Sequence, residues 1–197
     1  MNRKQRSDRQ IESTKKRITD AFVRLLDDNL FEHVSVTDIC RKAYTSRITF
    51  YTYYSDKYDL LESCFNEVKK TAKEDFLRLQ QENNPADHPV TGWSNLLKSI
   101  LDLRTFFPRF LSHADQNRDT YLYSCYRSEI LDSVEAFTRK YCRVLRPKYS
   151  VHQTSSLLCN GLWSFVNEGR ARGCPEDRIR TEADDSLRIM LASGLFG

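Results

Sequence analysis

Apolar side chains recur every three to four residues through most of the chain, which is the spacing of one face of an α-helix. The clearest early example is the stripe Ile18, Ala21, Phe22, Leu25 and Leu26, whose members share one helical face. Only six glycines and five prolines interrupt the 197 residues. The pattern predicts an all-α protein.

Two very short helices are predicted directly after this first helix. Ser35 and Ser46 precede them, and a serine hydroxyl is a preferred cap for the free N–H groups at a helix start. The apolar positions of the two helices are Val36, Ile39, Cys40 and Ala43 in the first, and Phe50 and Tyr54 in the second. Because helices this short depend on packing against neighbours, the pattern predicts a three-helix unit with a helix-turn-helix, followed by a longer helix from about residue 55.

The segment Asn83–Gly92 contains two prolines and several turn-forming residues, and it predicts a loop. Beyond it, the spacing predicts helices over about 93–107, 120–145, 151–172 and 176–193. We therefore expect an N-terminal domain over 1–62, with a basic arm and the helix-turn-helix, and a C-terminal helical bundle over 63–197. The loop lies within or at the edge of that bundle.

Positive charge is concentrated at the N-terminus. The first 17 residues contain seven Lys or Arg against two acidic residues, while the whole chain carries a net charge of +4. A basic arm suits a polyanion such as DNA, although a solvated tail would look the same. The sequence shows neither a membrane-spanning apolar run nor a signal peptide, so we expect a cytoplasmic protein without a membrane partner.

The residue patterns of common enzymes and metal sites are missing from the sequence. Its six cysteines are scattered without redox or zinc spacing, and its four histidines form no paired signature. No P-loop, dinucleotide-binding glycine motif, nucleophile elbow or HExxH motif occurs. We therefore expect no enzymatic activity, no metal and no cofactor.

The second short helix has a polar outer face that can enter the major groove of DNA. Arginine can donate two hydrogen bonds to guanine, threonine offers a hydroxyl and a methyl group, and tyrosine hydroxyls can reach phosphates. The polar side chains of this face are Arg47, Thr49, Tyr51, Thr52 and Tyr53. Lys57, at the start of the next helix, is positioned for a phosphate. The alternative is that an aromatic-rich helix serves only as part of a core.

The segment Ile18–Leu61 resembles the N-terminal domain of the TetR family of transcriptional regulators. The resemblance is carried by the runs Phe31–Ala43 and Thr45–Lys57 and by Leu60–Leu61. Its most specific part is Thr49-Phe50-Tyr51, followed by an aromatic residue at 54 and by Lys57. It implies a homodimer that binds a palindromic operator in double-stranded DNA, usually a repressor released by a small effector. It also implies DNA contacts by Ser35, Thr37, Arg47, Ile48, Thr49, Tyr51, Thr52, Tyr53 and Lys57.

Two residues depart from the family pattern. Tyr44 stands where the family usually has glycine in the turn, so the turn is either differently shaped or strained, because a residue with a Cβ is costly at positive φ. Ile48 replaces a small residue and could contact a thymine methyl group or pack inward. The alternative function is therefore an adaptor or coactivator of the same fold that binds proteins and has lost direct DNA binding.

The resemblance implies that the second half supplies a dimer interface and an effector pocket. Aromatic residues are the candidate pocket lining, namely Trp93, Phe106, Phe107, Phe110, Tyr123 and Tyr126. The candidate interface comes from the last two helices, namely Leu158, Leu162, Phe165, Leu187, Met190 and Leu191. The alternative for both sets is that they fill the core of a single subunit.

Overall fold

The computed structural model describes residues 3–114, 119–193 and 195–196, with side chains from residue 8 onward. Over these ranges the secondary structure is helical, which confirms the all-α prediction. The helices are α1 (Arg3–Leu25), a 3₁₀ helix (Phe31–His33), α2 (Val36–Lys42), α3 (Arg47–Tyr51), α4 (Lys57–Asn83), α5 (Pro89–Phe106), α6 (Pro108–Ala114), α7 (Thr120–Leu145), α8 (Val151–Ala171) and α9 (Glu176–Ala192).

The helices differ from the predicted ones at the start of α1 and around α5 and α6. Helix α1 begins at Arg3, so the basic N-terminal segment belongs to a helix and is not a separate arm. Prolines begin α5 and α6, because the first helical position needs no backbone N–H and suits the fixed φ of proline. The predicted loop over Asn83–Gly92 is therefore shorter, and only residues 84–88 connect α4 to α5.

The chain divides into two compact units. The first, which we call the head unit, contains the residues up to Lys69 together with Phe107–Cys125. It therefore includes α6 and the start of α7, which were predicted to belong to the C-terminal domain. The second unit contains Lys70–Phe106 and Tyr126–Gly197.

The core of the head unit is formed by the apolar face that the sequence predicted. Phe22 of α1, Ile39 of α2 and Phe50 of α3 are fully buried, and each buried side chain of this size contributes about 1.5–3 kcal/mol. The two short helices are therefore stabilised by tertiary packing, as their length requires.

In the second unit, α9 packs against both α5 and α8. Its buried face includes Ile179 and Leu187, and α8 contributes the fully buried Leu158. None of the helices in the described ranges is both long and apolar enough to cross a membrane.

Candidate nucleic-acid interface

Helix α3 is held at both ends by local contacts. The Ser46 hydroxyl caps its start and accepts a hydrogen bond from the Thr49 backbone N–H at 3.0 Å. Phe50 of α3 and Tyr54, just after it, are buried, and their ring centroids lie 5.6 Å apart. The inner face of α3 is thus fixed, and Arg47 and Ile48 lie on its exposed outer face.

Helix α2 is capped in the same way, by Ser35. Its hydroxyl accepts a hydrogen bond from the Asp38 backbone N–H at 3.2 Å and donates one to the Asp38 carboxylate. The hydroxyl bond to the carboxylate is the main cause that lowers the pKa of Asp38; desolvation opposes it, and the Ser35 backbone N–H and the charge of Arg41 add to it. The Ser35 hydroxyl therefore has a capping role, while Thr37 is exposed on the same helix.

The turn between α2 and α3 has the geometry usual for a glycine, although it contains Tyr44. The Thr45 N–H donates to the Cys40 carbonyl and the Tyr44 N–H donates to the Arg41 carbonyl, which is the pattern of a Schellman motif. Tyr44 has φ of 51°, in the left-handed region that is costly for a residue with a Cβ. Of the two alternatives, the turn is strained and not reshaped.

We expect Tyr44→Gly to raise the free energy of unfolding by about 1 kcal/mol. Glycine removes a strain of about 1–2 kcal/mol, offset in part by its greater backbone entropy in the unfolded chain. The tyrosine side chain is 89% exposed, so its removal sacrifices little burial. Urea denaturation measures the change, and Tyr44→Ala is the control because it keeps the Cβ. Equal stability of the two variants would show that the backbone is not strained.

Arg47 and Tyr51 form a pair one turn apart on the outer face of α3. The Arg47 guanidinium donates a hydrogen bond to the Tyr51 hydroxyl at 3.4 Å and lies 5.8 Å from the centre of its ring. This hydrogen bond raises the pKa of Arg47 above its ordinary value. The pair presents a permanent positive charge on the exposed face of α3.

Several of the other predicted DNA contacts are already engaged within the chain. The Thr49 hydroxyl bonds to the Ser46 hydroxyl at 2.9 Å, and the Thr52 hydroxyl donates to the Ile48 carbonyl. The ring of Tyr53 faces the Lys15 ammonium group at 5.7 Å. This last contact links the basic part of α1 to the end of α3.

Lys57 points into the head unit. Its ammonium group donates to the carbonyl oxygens of Phe31, Glu32 and Val34 at 2.8–3.0 Å. It also lies 4.7 Å from the centre of the Phe31 ring. Partial burial lowers the pKa of Lys57, opposed by the charges of Glu32 and Asp119. This geometry disfavours the phosphate contact predicted from the sequence, because all three ammonium hydrogens have acceptors.

Asp119 joins the start of α7 to the 3₁₀ helix, and the sequence did not predict this contact. One of its carboxylate oxygens accepts hydrogen bonds from the Tyr121 and Leu122 N–H groups and so caps α7. The other accepts from the Phe31 N–H at 2.5 Å. The Phe31 ring also stacks on Tyr121, with centroids 5.0 Å apart. Aspartate before Thr120 is a recognisable cap signal, but the contact with Phe31 spans 88 positions.

The candidate pocket residues are split between the two units. Phe107, Phe110 and Tyr123 belong to the head unit, and Trp93, Phe106 and Tyr126 belong to the second unit. Trp93 and Tyr126 are buried in separate aromatic pairs, with Phe137 and Trp163 respectively. Phe106 is exposed. A small cavity of about 10 Å³ in the head unit has room for one water molecule.

The candidate interface residues are divided between core and surface. Leu158, Leu187 and Leu191 are buried within the second unit, so their side chains serve its core. Leu162 and Met190 are partly buried, and Phe165 is exposed. The same two helices expose two large apolar side chains that were not in the predicted set, Leu157 and Ile189. Adjacent apolar residues in a helix point in different directions, which is why the sequence alone did not separate Leu157 from Leu158.

The chain matches two curated regulators over part of its length. It is 32% identical over 59 residues to the uncharacterized HTH-type transcriptional regulator YxbF of Bacillus subtilis, covering 30% of this chain and 16% of that protein. It is 32% identical over 107 residues to DhaS of Lactococcus lactis, the HTH-type transcriptional activator of the dhaKLM operon, covering 53% of this chain and 51% of that protein. The matches thus span about half or less of the relatives' length. No protein-family model matches the chain.

Solved structures match nearly the whole chain. A protein from Syntrophomonas wolfei assigned to the TetR family has a TM-score of 0.75 at 9% identity, with 93% of this chain and 97% of that chain covered. One from Shewanella sp. PV-4, assigned to the same family, has a TM-score of 0.67 at 14% identity, with 93% and 98% covered. A protein from Clostridium perfringens assigned as a regulator of fatty acid metabolism has a TM-score of 0.63 at 13% identity, with 87% and 96% covered. The resemblance seen in the sequence is therefore confirmed in the fold, and the chain has the fold of the TetR family of transcriptional regulators.

Proposed function

We propose that this chain is a DNA-binding transcriptional regulator that acts as a homodimer on a palindromic operator. The observation that carries the proposal is the construction of α3, whose inner face is fixed by Phe50 and whose outer face presents the Arg47–Tyr51 pair. The basic segment of α1 adds charge that favours DNA. A DNA target also implies a cytoplasmic location.

Arg47 is the residue that we assign to base recognition. A guanidinium can donate two parallel hydrogen bonds to the O6 and N7 atoms of guanine. Arg47 is exposed on the outer face of α3, so its guanidinium is accessible to a base edge.

We expect Arg47→Ala to weaken operator binding by about 1–3 kcal/mol and to relax the preference for guanine at one position of each half-site. Fluorescence anisotropy on operators that vary at each position measures both effects. Arg47→Lys keeps the charge but not the planar donor pair, so it should also lose the guanine preference. Arg139→Ala, an exposed arginine of the second unit, is the control for loss of charge. Equal weakening on every sequence would assign Arg47 to a phosphate.

The dimer surface that we propose lies on α8 and α9. Exposed large apolar side chains on packed helices favour an interface, and Leu157, Phe165 and Ile189 are exposed there. This set replaces the buried leucines of the sequence-based candidate interface. Sedimentation of the purified chain tests for the dimer.

We further propose that the protein represses transcription and that a small effector releases it from DNA. This proposal is supported by the fold. A screen for compounds that raise the thermal stability of the protein and lower its affinity for the operator tests it. Because one relative, DhaS, is described as an activator, the sign of regulation is measured separately with a reporter gene.

The decisive experiment is selection of bound DNA from a random pool by the purified chain. We expect a palindromic motif with a guanine in each half-site and binding that weakens steeply with salt. If the dimer is intact and no sequence is enriched, the proposal fails. The alternative function, an adaptor of the same fold, would then be the better account.

A further inference from the structure

Two large side chains on the outer surface of the head unit are almost completely exposed. Tyr44, in the turn, is 89% exposed, and Ile48, in the first turn of α3, is 83% exposed. A single exposed apolar residue is ordinary. Tyr44, however, also has an unfavourable backbone conformation, and its side chain gains almost no burial in return. Such an outlier supports a hypothesis of function, because backbone strain of this kind clusters at ligand sites.

The polar groups near Tyr44 and Ile48 do not explain why these two side chains are exposed. The hydroxyls of Thr49 and Thr52 already bond within the chain. Arg47 supplies a charged donor immediately before Ile48, and Lys42 supplies a positive charge shortly before Tyr44. The surface therefore combines apolar contact area with positive charge. This combination fits a ligand that is strongly anionic and carries an exposed apolar group.

We propose that Tyr44 and Ile48 bind the C5-methyl groups of thymines in the major groove, beside the base that Arg47 contacts. The thymine methyl is the apolar group that the major groove displays, and apolar side chains recognise it by direct contact. The inference rests on the proposed DNA binding and deepens it. It states that the operator half-site places thymines next to the guanine and that their methyl groups contribute to affinity.

Deoxyuridine substitution isolates this contribution. Replacing thymine with deoxyuridine removes the methyl group and leaves every hydrogen-bonding atom of the base pair in place. A buried methyl group corresponds to about a fourfold change in affinity. We expect about fourfold weaker binding at one or two thymine positions of each half-site and no change at the others, measured by anisotropy with the full chain on the selected operator at fixed salt.

Variants connect each methyl group to its side chain. Ile48→Ala should abolish the difference between thymine and deoxyuridine at one of these positions, and Tyr44→Gly should abolish it at another. The ratio of the two affinities is taken within one variant, so a change in protein stability cancels. Val144→Ala, a change at an exposed valine of α7 in the second unit, is the control and should preserve every ratio.

The possible failures are distinguishable. If the chain selects an operator but no deoxyuridine position weakens binding, the inference is wrong and the proposed function stands. The same holds if Ile48→Ala and Tyr44→Gly leave all the ratios unchanged, since other side chains would then contact the methyl groups. If the intact dimer enriches no sequence, both are wrong, and this surface would instead suit a protein partner.

Discussion

Lys57→Met is expected to lower the free energy of unfolding by about 3 kcal/mol. The Lys57 ammonium group donates to three backbone carbonyls around the 3₁₀ helix. A hydrogen bond from a charged donor contributes about 1.5–3 kcal/mol, and the partial desolvation of the ammonium group offsets part of the total. The carbonyl oxygens of Phe31 and Val34 lie in partly buried contacts, so water replaces the lost donor poorly, whereas the Glu32 carbonyl is more exposed. Methionine keeps the length of the lysine side chain and the apolar character of its aliphatic stem.

Urea denaturation of the full chain measures this effect. Lys42→Met is a matched control, because Lys42 is exposed and makes a single long hydrogen bond of 3.4 Å to a backbone carbonyl. We expect a change of less than about 0.5 kcal/mol for this control.

The same variant tests the role that the sequence predicted for Lys57. A lysine that contacts a phosphate contributes about one unit to the slope of log affinity against log salt. Because the ammonium hydrogens are engaged inside the head unit, we expect Lys57→Met to preserve that slope under conditions where the variant is folded. A slope that falls by about one, with unchanged stability, would restore Lys57 to the set of phosphate contacts.

Local signals made the short helices predictable. Ser35 and Ser46 act through backbone N–H groups three residues away, so the information lies within a few neighbouring positions. The burial of Phe22, Ile39 and Phe50 follows from helical periodicity in the same way. For Tyr44 the sequence left two alternatives, a differently shaped turn or a strained one, and the φ of 51° in the structure decides between them.

The features that could not be predicted from the sequence depend on packing between residues that are distant in the chain. The sequence placed Leu158 in the candidate interface, but the choice of Leu158 over Leu157 for the core depends on the neighbours of each side chain in the folded unit. Lys57 is equally able to extend toward DNA or to fold back onto carbonyls, and only the position of the 3₁₀ helix decides between them. The assignment of α6 and the start of α7 to the head unit depends on contacts such as that of Asp119, which are distant in sequence.

Asp119→Ala is expected to lower the free energy of unfolding by about 3 kcal/mol. Two losses add in this variant. The cap of α7 is worth about 1 kcal/mol, and the Phe31 N–H, whose bond to Asp119 is buried, loses its acceptor at a cost of about 1–3 kcal/mol. Asp119 is itself only 7% exposed, so water has little access to replace the carboxylate.

Three variants separate the two contributions, with urea denaturation as the measurement. Asp119→Ser can still cap α7 but is too short to reach Phe31, so it should recover about 1 kcal/mol of the loss. Asp119→Asn keeps one oxygen for the cap but turns an N–H donor toward the Phe31 N–H, so it should remain well below the parent protein. Asp56→Ala is the matched control, because Asp56 caps α4 through the Tyr58 and Asp59 N–H groups in an exposed position. A loss in Asp119→Ala no larger than that in Asp56→Ala would mean that the hydrogen bond to Phe31 adds nothing to stability, and that the start of α7 is held in the head unit by side-chain packing such as that of Leu122 and Tyr121.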